Sequence, residues 1–250
     1  MAAYDFTAPR LYLDAELADG ARLPLDRAQA NYLLTVLRRA EGEPVLVFNG
    51  RDGEWRAEIA PTGRKSADLV LRARTRPQPA PSDLHYLFAP LKAGRLDYLA
   101  QKAVEMGAGR LRPVLTRYTQ GERLKLERLR ANAIEAAEQC GILSLPAIDE
   151  PARLAATLET LEADRLLVFC NEDAPIADPV AALRGAADPG APPPLAVLVG
   201  PEGGFAPDER AAIAARPNTV ALSLGPRILR ADTAAVAVLA LVQAVLGDGR

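Results

Sequence analysis

Histidine is almost missing from this chain: His85 is the only one in 250 residues. One histidine makes neither a nucleophile triad nor a histidine metal site. Its neighbours form an apolar, strand-like segment, which favours a packed sheet residue over a general base. Cysteine is scarce as well. Cys140 and Cys170 show no partner spacing. That excludes a disulfide framework, gives no expectation of a metal, and suits a reducing, cytoplasmic setting. Aromatic residues are only 5% of the chain, too few for a row of stacking platforms along single-stranded nucleic acid. The longest apolar run, over 234–242, is too short to span a bilayer, so no membrane role is expected. No apolar leader segment precedes a cleavage site, so secretion is not expected. A large excess of charge is also lacking, the net being −2.

The composition that remains is 49% hydrophobic and 25% charged, which suits a globular protein of one or two domains with a sizeable core. The charge is uneven. Residues 92–130 carry ten Lys/Arg against four Asp/Glu, a surplus of +6, and residues 131–250 carry eight against sixteen, a deficit of −8. Such asymmetry permits a nucleic-acid surface, and it equally suits solvated helix faces with ordinary ion pairs.

Two apolar strands, over 195–199 and 219–222, each run into a glycine-bearing loop and then a helix. That is the βα unit of a helix-covered sheet, whose ligands sit at the carboxyl ends of the strands. Residues 200–205 and 225–232 are therefore expected to meet over one small molecule. The loop Gly200-Pro201-Glu202-Gly203-Gly204 is neither a GxGxxG fingerprint nor a Walker A loop. Glu202 would repel a phosphate, so a ligand with a cationic or neutral reactive end fits better.

Earlier in the chain, strands are expected over 10–13, 44–48, 54–59 and 69–74, with one helix from a cap at Asp26 through Arg38. Three prolines between Arg76 and Pro81 mark a linker. The domains are expected at 1–76 and 83–250, with the linker at 77–82. Beyond it, strands over 84–89, 111–115 and 165–169 alternate with helices over 94–106 and 124–140, which argues for a mostly parallel α/β sheet. A second proline-rich loop lies at 189–194. The final helix is apolar around almost its whole circumference, so burial on more than one side, as in a homodimer, is expected.

The loops GPEGGF and LSLGPRILRADTA, with PRLYL, YLLTVLRRAEGEPVLVFNG, LKAGRLDYLAQKAVEMGAGRLRPVLT and ANAIEAAEQCG ahead of them, fall in one family's order across nearly the whole chain. They resemble the RsmE-type 16S rRNA uridine-N3 methyltransferases of the SPOUT superfamily. The resemblance implies an N-terminal PUA-like RNA-binding β-barrel and a C-terminal SPOUT domain with a trefoil knot. It also implies a homodimer, S-adenosyl-L-methionine as cofactor, and 16S rRNA of the small ribosomal subunit as partner (position 1498 in the usual bacterial numbering). The site it implies has Leu198, Val199, Gly200, Pro201, Gly203, Gly204, Leu222, Leu224, Gly225, Ile228, Leu229 and Thr233 at the cofactor. Arg230 would be an anion-stabilising donor, or an ion-pair partner of Asp232 or Glu202. Glu202 would accept the N3 proton, or orient cofactor or substrate, or hold its loop by accepting backbone N–H bonds. Asp232, where the family more often has Glu, would cap the last helix, which Thr233 would begin.

Candidate RNA contacts are Arg10, Arg38, Arg39, Lys92, Arg95, Arg112, Arg117 and Arg123, each of which has an ordinary surface charge as its alternative. Two further departures stand out: Ile142 replaces a common Arg, and Asn31-Tyr32 replaces a common His. The rival readings are a ribose 2′-O-methyltransferase of the same fold, a non-catalytic RNA-binding or assembly factor, and, more remotely, a nucleotide-binding oxidoreductase.

Overall fold

The computed structural model describes residues 7–120, 124–175, 178–187 and 193–247. The chain forms two compact units, Met1–Ala80 with Ala137–Leu145, and Pro81–Ala136 with Pro146–Arg250. The sequence reading leaves Ala137–Leu145 in the second domain; the fold groups it with the first, where Ala137 and Leu143 bury Phe48. Ile142 packs partly buried against that cluster.

In the first unit, β1 (Arg10–Tyr12), β2 (Arg22–Pro24), β3 (Pro44–Phe48), β4 (Glu54–Gly63) and β5 (Ser66–Arg76) pair in the order β1-β3-β4-β5-β2. Every neighbouring pair is antiparallel except β1 with β3. Alternation along the strands turns Val45, Val47, Ala57, Ile59, Leu69 and Leu71 into one core, at roughly 1.5–3 kcal/mol for each large aliphatic side chain. Leu11 of β1 and Leu23 of β2 reach the same core from the two ends of the strand order.

The expected single helix is two structures. Asp26 caps α1 (Arg27–Asn31) in a capping box: its carboxylate accepts from Gln29 N–H at 2.7 Å, and the Gln29 side chain accepts from Asp26 N–H at 3.1 Å. A wider π turn follows over Tyr32–Val36, and Leu37 N–H bonds back to Tyr32 O at 2.9 Å. Arg38 then takes φ 55°, which ends the helical path. Leu33 is fully buried beneath this turn.

Glu54 is the polar centre of the first unit. Its carboxylate takes Arg10 Nε at 3.1 Å, Arg76 Nη2 at 2.5 Å and the Thr75 hydroxyl at 2.8 Å, with both guanidiniums nearly buried. Burial alone would raise the carboxyl's pKa. The bonds from Arg76, Thr75 and Arg10 outweigh it and hold the pKa below the ordinary value.

The second unit is a parallel sheet of β6 (Leu84–Phe88), β7 (Arg110–Leu115), β8 (Ala147–Ile148), β10 (Leu166–Cys170), β11 (Leu195–Val199) and β12 (Thr219–Leu222), ordered β12-β10-β11-β6-β7-β8. The short β9 (Ala152–Arg153) also pairs with β7. Its helices are α2 (Ala93–Glu105), α3 (Leu126–Cys140), α4 (Leu154–Glu159), α5 (Pro179–Gly185), α6 (Pro207–Ala214) and α7 (Ala231–Val245).

The central strands are buried on both faces, as a parallel sheet requires. Tyr86, Phe88, Val168, Val197 and Val199 point to one face, against Leu99 and Ala103 of α2, Leu183 of α5, and Val238 and Leu239 of α7. Leu87, Leu167, Phe169, Ala196 and Leu198 point to the other, against Leu154 of α4 and Ile213 of α6. This two-residue alternation fixes which side chains can reach the strand ends.

Candidate active site

Strand register builds the site. Cys170 pairs with Leu222, and Phe169 pairs with Leu198, so Cys170, Val199 and Leu222 stand level at the carboxyl ends of β10, β11 and β12. The three loops leaving these ends wall one cleft. Cys170, Asn171 and Glu172 come from the first, Val199, Gly200, Pro201, Glu202, Gly204 and Phe205 from the second. Leu222, Ser223, Leu224, Gly225, Arg227, Ile228 and Leu229 come from the third, and Ala231 and Ala234 of α7 close it. The chain order turns back here, from β11 across β10 to β12, and ligand crevices form at such reversals.

Two glycines shape the walls. A Cβ on Gly200 would stand 2.5 Å from the Phe205 ring, so only glycine lets that ring close over the loop. Gly225 has φ +104°, and the space its Cβ would occupy is open.

The other expected cofactor residues fall around this frame. Leu198 lies one residue back, in the opposite core. Gly203 faces Tyr118, with its added Cβ 3.1 Å from that side chain. Thr233 is exposed on α7 and outside the cleft wall.

Glu202 lines the cleft and accepts from Arg95 Nη1 at 3.0 Å. Its loop is held through this cross-link to α2, where the sequence reading favours backbone amides. Arg230 is exposed and not among the residues that wall the cleft; its carbonyl accepts from Ala234 N–H at 2.8 Å, but its side chain has no partner among the described residues, so the alternative pairing with Asp232 or Glu202 does not form. It also corrects the cap assignment: Arg230 itself is the N-cap of α7, without a side-chain bond, and Ala231 starts the helix. Asp232 lies in the first turn, where its negative charge suits the helix dipole.

Sequence reasoning missed Cys170, Asn171, Glu172 and Arg210. The strand before the 171–173 loop is legible in the sequence, but only strand register shows that its carboxyl end stands level with the other two. Cys170 is packed rather than reactive: burial pushes its thiol up to about 12.

The candidate RNA contacts divide. In the first unit, Arg10 is committed to Glu54 with its side chain 7% exposed, which removes it from the surface set. Arg39 bonds Glu43 and the Thr7 carbonyl, and Arg38 is exposed and unpaired among the described residues. In the second unit, Lys92 is exposed at the start of α2 and Arg95 holds Glu202. Arg112 pairs with Asp149 at 3.1 Å, largely buried, and Arg117 pairs with Asp208 at 2.6 Å in the open. Arg123 and most of the 189–194 loop lie outside the described residues.

His85 is buried in β6, away from the carboxyl ends. Burial first, and the Arg165 cation next, lower its pKa to about 4, so it is neutral near pH 7.

Among the described residues no helix is long and apolar enough to cross a membrane, and no group of three His, Cys, Asp or Glu could hold a metal. A parallel sheet whose last three carboxyl-end loops share one cleft, in a chain that also carries the five-stranded N-terminal unit, fits the SPOUT fold with a PUA-like domain that the motifs imply. The family described as "RNA methyltransferase domain" matches residues 78–243, and "RNA methyltransferase PUA domain" matches 25–72. A ribosomal RNA small subunit methyltransferase E of Rickettsia conorii is 30% identical over 94% of both chains. Its namesake in Synechocystis is 30% identical over 96% of this chain and 78% of its own. The solved structure of a ribosomal RNA small subunit methyltransferase E from Neisseria gonorrhoeae, bound to S-adenosyl methionine, superposes with TM-score 0.77 at 25% identity, covering 97% of this chain and 100% of that one. A Legionella pneumophila methyltransferase with bound SAM gives 0.76 at 26%, covering 95% and 97%. The chain belongs to the ribosomal RNA small subunit methyltransferase E family.

Proposed function

We propose that this enzyme transfers a methyl group from S-adenosylmethionine to N3 of a uridine in 16S rRNA, at the position the family resemblance implies. The observation that carries the reading is the convergence of the 200–205 and 223–229 loops, with the loop after β10, on one cleft. The walls suit this cofactor. Leu222, Leu224 and Leu229 offer apolar contact for an adenine, and Gly200 and Gly225 keep side chains out of its path. Glu172 and Glu202 supply negative charge beside a cationic ligand.

When bound, the cofactor presents a methyl group on a sulfonium sulfur, which leaves as a neutral thioether. The chain's part is to hold the acceptor in line and to favour its anionic form. Loss of the N3 proton to solvent water spreads charge onto the two flanking carbonyl oxygens of uracil. Arg230, unpaired at the amino end of α7, is the donor for that charge, helped by the helix dipole. Arg95 fixes Glu202 and through it the glycine loop.

The first unit, residues 1–80 with 137–145, is the RNA-binding module, and the second, residues 81–136 with 146–250, is the catalytic SPOUT domain, its two glycine loops being the loops of the knot. The enzyme works in the cytoplasm as a homodimer. The face of α7 that carries Ala234, Ala235, Val238, Leu239 and Val242 is buried within the chain, whereas Thr233, Ala240 and Ala244 stay exposed. A second copy would cover that exposed face; light scattering after gel filtration at low concentration tests it, and a stable monomer counts against it.

The functional test is modification mapping of 16S rRNA from a deletion strain. Loss of one 3-methyluridine, restored by the wild-type copy and hardly by Arg230→Ala, is expected. Loss of a ribose methyl group instead would refute the base-methylation reading.

A further inference from the structure

The cleft between the glycine loops is small, about 110 Å³, below the roughly 300 Å³ at which pockets bury a drug-sized ligand. It adjoins a second cavity of about 440 Å³. Glu172, Ser223, Gly225, Arg227 and Ile228 line both. Gly225, Arg227 and Ile228 thus border both spaces.

The charges on these walls are not alike. Glu202 is taken by Arg95 at 3.0 Å, and Arg210 by Asp173 at 2.8 Å. Glu172 and Arg227 line both cavities yet pair neither with each other nor with any other described residue. Both charged groups therefore keep their hydrogen-bonding capacity for a ligand that reaches the two spaces. A ligand that satisfies both carries an ammonium and a carboxylate close together.

We infer that Glu172 and Arg227 hold the amino-acid end of the cofactor, the ammonium at Glu172 and the carboxylate at Arg227, in the second cavity. The nucleoside then occupies the narrow cleft between the glycine loops. Ser223, whose hydroxyl lies 3.4 Å from the Gly225 carbonyl, stands beside them as a neutral donor. Arginine suits this task because its planar fork matches a carboxylate. This assignment rests on the cleft being the S-adenosylmethionine site.

Calorimetry on the full chain with two probes tests it. S-adenosylmethionine carries the zwitterionic tail, and 5′-methylthioadenosine has the same nucleoside without it. Arg227→Gln and Glu172→Gln should each weaken S-adenosylmethionine about tenfold, the scale of one charge-assisted bond, and change methylthioadenosine by less than about twofold. Arg227→Lys should recover part of the loss. Both residues are exposed, so these variants keep the fold. Equal weakening of both probes, or of neither, overturns the assignment and leaves the cleft reading standing. Wild-type protein that binds neither probe overturns the cleft reading and the assignment with it.

Discussion

Two clusters, one in each unit, treat charge in opposite ways. In the first, Glu54 sits buried between Arg10 and Arg76 with Thr75 as a further donor. In the second, the side chains of Glu172 and Arg227, in loops that follow β10 and β12, and of Arg230, at the amino end of α7, have no partner among the described residues. A paired, buried charge gains little net stability but is costly to break. An unpaired charge at a cleft keeps its hydrogen bonds for something that arrives. The difference separates residues that hold the protein together from residues that meet ligand, even though all are Arg or Glu.

The sharpest way to break the contrast is at its buried end. Glu54→Ala leaves two guanidiniums without their shared carboxylate and should cost about 3–5 kcal/mol in the unfolding of the first unit, read by denaturant melts. Arg227→Ala should lower the unfolding free energy of the second unit by less than about 0.5 kcal/mol, as surface substitutions do. Equal effects would dissolve the distinction.

Acid sharpens it. The folded pKa of Glu54 lies below its ordinary value, so its contribution is complete above the ordinary carboxylate range and is lost as pH falls through the folded pKa. Stability measured against pH should therefore drop on the acid side, and Glu54→Gln should flatten that limb. A limb unchanged in Glu54→Gln would place the acid sensitivity elsewhere.

At the exposed end, Arg230→Ala should slow methyl transfer about 100-fold, the scale of losing one preorganised donor, while calorimetric affinity for S-adenosylmethionine stays within about twofold. A fall in affinity with an unchanged transfer rate would make Arg230 a cofactor ligand instead. A small effect is expected at Asp232, whose first-turn charge stabilises α7 by about 0.3–1 kcal/mol; Asp232→Ala should lower the thermal midpoint slightly.

Legibility in the sequence followed the range of the interactions. The strands at 44–48, 195–199 and 219–222 read cleanly because their side-chain pattern and turns are local, and β3, β11 and β12 occupy those residues. The two glycine loops were visible for the same reason. The third loop, after β10, was not: Asn171-Glu172-Asp173 is ordinary turn chemistry, and only strand register brings it beside the others. The burial of Arg10 was equally hidden, because its partner lies 44 residues away. Asp232 looked like a cap by residue type, yet the backbone turns into the helix two residues earlier. The π turn at Tyr32–Val36 left no trace, since its leucines keep an ordinary helical spacing.

The most direct test of the central claim is a crystal structure of the protein grown with saturating S-adenosylmethionine. Density for the nucleoside is predicted between Gly200 and Leu229, with the sulfonium methyl directed toward open solvent near Arg230. Nucleoside density anywhere else, or side chains filling that cleft with no ligand bound, would contradict the account.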